Sequence, residues 1–179
     1  MHRNLDELTR AGAIDAIARY CRQVLEWPNP AFGNKPACPF SRRERESDKV
    51  QYEFFAIESG GPSDDMIEVA REFVASGRCT TLLFVDPIKS LTVAQAAEYG
   101  IELSRRCRAE QLVAIGVHPD DDYAIDGFQP RCGVPYVMML CQTAAYLRAA
   151  KQQLEGTGYY DKWPLAALEY NYRQIGQFL

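Results

Sequence analysis

The stretch Cys79-Thr80-Thr81-Leu82-Leu83-Phe84-Val85-Asp86-Pro87 decides the fold. From Cys79 to Val85 it is almost continuously apolar, too short for a helix, and closed by Asp86-Pro87, which reads as a β-strand buried on both faces. Leu112–Val117 repeats the pattern and stops at His118-Pro119. Between them, Thr92 to about Cys107 carries Val93, Ala96, Ala97, Ile101 and Leu103 at helical spacing. Upstream, Val50–Ile57 alternates through Tyr52 and Phe54 as a strand. A helix from Ser63, its N-cap, to about Ser76 follows, with Asp64 and Asp65 in its first turn and Gly77 ending it.

Further out, Leu5 to Trp27 shows an apolar helical stripe that Pro28 terminates. Residues 28–48 read as a Pro- and Gly-rich loop that runs into the charged string Arg42-Arg43-Glu44-Arg45-Glu46. Val134–Cys141 is a fourth strand, reached through the irregular stretch Asp120–Gly133, and Thr143–Leu154 is helical. Gly156–Tyr160 breaks that helix, and Pro164–Phe178 reads as a C-terminal extension helix. Strands alternating with helices predict one α/β domain over residues 1–179, with a mostly parallel or mixed four-stranded sheet and packed helices. The last strand follows a loop, so it is expected as an antiparallel edge or as part of a mixed sheet.

Composition narrows the function. The chain has 179 residues, 47% hydrophobic and 25% charged, with a formal net charge of −4, which is globular and not basic. A general nucleic-acid or membrane-surface binder is not expected. The opening MHRNLDELTR has no apolar core of a signal peptide, and no run approaches a membrane span. The expected compartment is the cytoplasm, with all six irregularly spaced cysteines reduced.

The chemistry-bearing residues collect at loops. His118 leaves the carboxyl end of a buried strand, where α/β sheets place ligands, and suits proton transfer or metal binding; a histidine hydrogen-bonded within a loop is the plainer alternative. Cys38 in Ala37-Cys38-Pro39-Phe40 precedes Arg42, Arg43 and Arg45, positive charges that would favour a thiolate. Arg131 and Cys132 lie in a further irregular segment, while Cys21, Cys79, Cys107 and Cys141 fall on apolar faces. Asp120-Asp121-Asp122 lacks the glycine-spaced pattern of a calcium loop and reads better as solvated.

The order Cys38-Pro39-Phe40, Thr80-Thr81-Leu82-Leu83 with Pro87, His118-Pro119-Asp120, then Arg131 with Pro135-Tyr136, resembles an uncharacterised bacterial family, a domain of unknown function, over roughly residues 12–155. Val117 stands where that family has an aromatic, and Arg131-Cys132-Gly133-Val134-Pro135-Tyr136 replaces its tighter Arg-Ser-Pro-Tyr-Pro segment. The resemblance implies a shared site for Cys38, His118 and Arg131.

These readings lead to an expected enzyme acting on a small anionic metabolite, a carboxylate or phosphate. Cys38, His118 and Arg131 would be catalytic and Arg42, Arg43 and Tyr136 would bind substrate. Cofactor readings are none, zinc or iron held by Cys38, His118, Asp120 and Asp122, or haem through Cys38-Pro39. The competing class is a non-catalytic ligand- or partner-binding module. The aromatic tail Tyr159, Tyr160, Trp163, Tyr170, Tyr172 and Phe178 either packs on the body or forms a homodimer interface.

Overall fold

The computed structural model describes residues 7–121, 128, 130–165 and 168–169. Helix α1 (Glu7–Tyr20) runs into a π-turn, Cys21–Leu25, closed by the Glu26 N–H donating to the Cys21 carbonyl at 2.9 Å. Two-residue strands β1 (Pro28–Asn29) and β2 (Lys35–Pro36) pair antiparallel, and α2 (Ser41–Glu46) follows. The rest is β3 (Val50–Phe54), α3 (Asp64–Ser76), β4 (Thr81–Asp86), α4 (Val93–Arg106), β5 (Leu112–Val117), β6 (Val137–Thr143) and α5 (Ala144–Leu154).

The main sheet has the order β3-β4-β6-β5 and is mixed. β3 and β4 are parallel, and β6 is antiparallel to both β4 and β5. It follows that β3, β4 and β5 point one way and β6 points back between them. β6 is therefore antiparallel but central, not an edge. The physical reason is its two-sided apolarity: Val137, Met139 and Cys141 enter one core while Met138 and Leu140 enter the other. β6 starts at Val137 rather than Val134, after Pro135, whose missing N–H cannot serve a ladder.

Helices α3 and α4 cover one face, burying Met66, Ile67, Ala70, Phe73, Ala96, Tyr99 and Leu103 against Leu82, Phe84 and Leu112. Helix α1 and the segment before β6 cover the other, with Ile17, Val24 and Val134 against Phe54, Leu83 and Val85. Leu8, part of the apolar stripe, stays 87% exposed. The Ser63 cap forms as read, its hydroxyl accepting the Met66 N–H, and the structure adds a capping box between Thr92 and Gln95.

Helix α4 sits on β5 backbone to backbone. A Cβ on Gly116 would fall 1.9 Å from the Ala96 carbonyl oxygen, and one on Gly100 would fall 2.6 Å from the Gly116 nitrogen. Ser104, one turn on, accepts the Ala114 N–H at 2.8 Å and donates to the Gly100 carbonyl at 2.9 Å. Only small residues permit this approach.

Gly116→Ala is expected to destabilise the fold by at least about 2 kcal/mol, since backbone on both sides has nowhere to go. Gly12→Ala, on the exposed side of α1 with no atom within 4 Å, should stabilise by roughly 0.5–1 kcal/mol. Urea midpoints of the two variants check the contrast.

Candidate functional site

Residues 28–48 are ordered by local chemistry. Asn29 accepts the Ala31 N–H at 2.9 Å, Pro30–Phe32 form a 3-10 turn, and Gly33 closes it at φ 66°, a conformation glycine adopts without strain. Phe32 is buried, and the Cys38 N–H donates to the Leu25 carbonyl at 2.9 Å, tying the returning chain to the π-turn. The charged string is not loop but the short helix α2.

Two carboxylates turn inward from this region. Glu26 receives both ends of the Arg45 guanidinium at 2.9 Å and the Ser41 hydroxyl at 3.3 Å, with Arg42 at 3.7 Å. Glu44 receives the Tyr146 hydroxyl at 3.0 Å, the Arg43 guanidinium at 3.0 Å and the Thr80 hydroxyl. Burial pushes both carboxyls up in pKa, but these donors and charges outweigh it and hold both below their ordinary value. Glu44 also accepts the Lys49 N–H at its carbonyl, and Lys49 in turn accepts from Thr80 and Thr81. Helix α2 is thus pinned at the amino ends of β3 and β4.

This arrangement corrects the expectation for Cys38. The arginines are held by Glu26 and Glu44 and do not create a thiolate. Burial raises the Cys38 thiol, N–H groups of Phe40 and Ser41 oppose the rise, and the charges of Glu26 and Glu44 add to it. Cys21 is pushed up to about 11 by burial, against the Ser41 hydroxyl and with Glu26. All six cysteines are free thiols.

His118 is elsewhere. It is 3% exposed at the carboxyl end of β5; its Nε2 lies 2.8 Å from the Leu91 carbonyl, and its Nδ1 accepts the Asp120 N–H at 3.0 Å. With Nδ1 accepting, Nε2 carries the proton and donates, so both nitrogens are occupied by backbone. The ring fixes the turn after β4, where Asp86 also accepts from the Ile88 and Ser90 N–H groups at 2.9 and 3.0 Å. Asp120 pairs with Lys89 at 2.7 Å, and that bond first, then the Lys89 charge, keeps its carboxyl below the ordinary value.

Cys38 lies at the amino end of the sheet beside β3 and β4, while His118 lies at the carboxyl end of β5 on the far edge. Strands of this length span roughly 17–20 Å. The shared site expected for Cys38 and His118 is therefore not assembled, because direct cooperation needs hydrogen-bond reach or one intervening atom. Arg131 is exposed, with its guanidinium 4.2 Å from the centre of the Trp27 ring, and a Cβ on Gly133, two residues on, would fall 3.9 Å from the Pro119 carbonyl oxygen next to His118. Tyr136 packs on the α1 side of the core. Asp122 lies outside the described residues. Among the described residues no three His, Cys, Asp or Glu side chains gather as a metal site.

Of the aromatic tail, Tyr159 is buried, with its hydroxyl 2.7 and 2.9 Å from the Pro36 and Ala37 carbonyls, and Trp163 meets Phe32 at 4.7 Å. These residues pack on the loop before Cys38; Tyr170, Tyr172 and Phe178 lie outside the described residues. Sequence reasoning missed Glu26, Glu44, Tyr146 and Trp27. One signal was present: Ser41, Arg42 and Arg45, at helical spacing, form a face that calls for an acidic partner.

Trp27 is 50% exposed, with the Arg131 guanidinium over its ring. The Arg42 side chain is 67% exposed. Among the described residues Arg131 has no ion pair. No protein-family model, no curated protein and no solved structure matches the chain. No helix among the described residues is long and apolar enough to cross a membrane.

Two outcomes test the buried carboxylates. Arg45→Ala is expected to destabilise by about 3 kcal/mol, because it leaves Glu26 buried without its main partner. Glu26 and Glu44 have lowered folded pKa values, so their contribution is complete above the unfolded carboxyl pKa near ~4.3 and lost as pH falls through the folded values. Urea midpoints between neutral pH and pH ~3 should fall less steeply for Glu26→Gln than for the parent. Glu44→Gln should also speed alkylation of Cys38, mapped by mass spectrometry; an unchanged rate would mean that the carboxylate does not restrain the thiol.

Proposed function

We propose that this chain is a binding module that recognises an anionic group on its surface at Trp27 and Arg131. The observation that carries the reading is the Arg131 guanidinium stacked at 4.2 Å on a half-exposed indole with no carboxylate partner among the described residues. A guanidinium on an aromatic face keeps all its N–H donors at the edge of the plane, aimed outward for a carboxylate or phosphate.

The catalytic alternative has less support. A thiol raised by burial and by two carboxylates is a weak nucleophile near neutral pH, and the one histidine of the described residues is tied at both nitrogens.

Emission from Trp27, read in a Trp163→Phe background, is expected to change saturably on titration with citrate at low ionic strength. Arg131→Ala should abolish the change. A flat titration, or one that survives Arg131→Ala, would remove this reading.

A further inference from the structure

We infer that the free edge of strand β3 is an interface for a second copy of this chain, which pairs antiparallel about Gln51 and joins the two sheets into one. The sheet has two edge strands, β3 and β5, and the chain treats them differently. Along β5 the outward backbone is taken by α4 and its cap. The Ser104 hydroxyl accepts the Ala114 N–H at 2.8 Å and lies 3.3 Å from the Ala114 carbonyl, and the Leu112 N–H donates to the Cys107 carbonyl at 3.2 Å.

Strand β3 has no such cover. The Lys49 carbonyl accepts the Thr81 N–H and the Phe55 N–H donates to the Val85 carbonyl, so the odd-numbered residues turn their backbone to β4. Val50, Tyr52 and Phe54 therefore direct N–H and C=O away from the sheet. Phe54 is 2% exposed, packed against α1 with Arg10 over its ring. Val50 and Tyr52 are only half-buried, and among the described residues nothing bonds their outward groups. Unpaired edge groups of this kind are a template for another strand.

Charge identifies the strand that fits. Lys49, Gln51 and Glu53 fall on the same face, positive, neutral and negative in order. Lys49 donates to the Arg78 carbonyl and Glu53 accepts from the Gln51 amide, but neither has an ion pair among the described residues. That order is antisymmetric about Gln51. An antiparallel copy centred there sets Lys49 opposite the copy's Glu53, and Glu53 opposite its Lys49. The same register sets Val50 opposite the copy's Tyr52, and such outward-facing pairs exchange both N–H···O bonds.

Other registers fit less well. Centring on Glu53 opposes two carboxylates, and centring on Tyr52 needs the covered Phe54. Pairing about Gln51 also has a natural end: the residue that would meet Phe54 is Asp48, whose φ of 51° takes the chain out of the extended conformation. The contact is isologous and closes as a two-fold dimer, and its shortness makes that dimer weak and reversible. It is separate from the Trp27 surface and does not use the aromatic tail, since Tyr159 and Trp163 pack on Phe32, Pro36 and Ala37 of their own chain.

Sedimentation velocity of the full chain, from low micromolar to near-millimolar concentration, tests the inference. The expected result is a monomer–dimer equilibrium that weakens as salt rises. Lys49→Glu and Glu53→Lys each set like charges opposite one another and should weaken the dimer about tenfold. Carrying both changes reverses the charge order and should restore it. An equimolar mixture of the two single variants should dimerise as well, because each presents the charges that the other lacks. In the parent, the Val50 and Tyr52 amides should exchange with deuterium faster at dilutions where monomer prevails than in the dimer. Unchanged circular dichroism verifies that the variants fold. Monomer throughout the range, growth beyond a dimer, a dimer indifferent to both single changes, or a loss that neither the double variant nor the mixture recovers overturns the inference. So does slow exchange of those two amides in the monomer, which would mean that the edge is already covered within the chain.

Discussion

Strands β4 and β6 must be covered on both faces, and the placement of the other elements follows from that requirement. Leu82 and Phe84 face α3 and α4 while Leu83 and Val85 face α1, and β6 divides in the same way. A strand with no polar side cannot sit at an edge without exposing apolar surface, at roughly 25 cal/mol per Å². The chain resolves this by leaving a gap between β4 and β5 when it crosses through α4, then filling it with β6 from the opposite direction. The tight contact of Gly100 and Ala96 on Gly116 holds β5 at the distance this needs.

Strand direction then fixes where loops emerge. The segment before β3 comes in at the amino ends of β3 and β4, and the turns after β4 and β5 leave at the other end. Cys38 belongs to the first group and His118 to the second. Their positions at loop boundaries were legible in the sequence, but their separation was not, since it depends on which end of the sheet each loop serves. The same limit applies to β6. Its apolarity was legible from Val137 to Cys141, and read strictly it already argued for a central strand. The loop preceding it suggested an antiparallel edge or a mixed sheet; the sheet is mixed, and two-sided burial puts β6 at its centre.

Local signals with a complete chemical cause transferred well. Ser63 and Thr92 cap their helices, Gly77 adopts φ 57° at a helix end, and the doubly apolar runs are strands. Signals that depend on a distant partner did not. Nothing next to Glu44 in the chain announces Thr80 or Tyr146, and nothing next to Arg45 announces Glu26. The string Ser41–Glu46 read as part of a loop because, besides its own neighbours, its partners come from three other segments: Glu26 after the π-turn, Thr80 before β4 and Tyr146 in α5.

That difference changes what the arginines mean. In sequence, three arginines near a cysteine suggest an activated thiol. Folded, Arg43 and Arg45 neutralise buried carboxylates, and the thiol faces the carboxylates. Charge inside such a network is spent on holding the loop in place and exerts little pull on a ligand. Arg131 is one of the cations among the described residues that this network does not reach. Arg131 comes from a different segment, rests on an indole instead of a carboxylate, and stays in water. Its stacking confines the side chain without neutralising it, so little conformational entropy is left to lose when an anion arrives. An oriented guanidinium with no ion pair among the described residues, beside exposed apolar area, is what the proposed recognition of an anion would draw on.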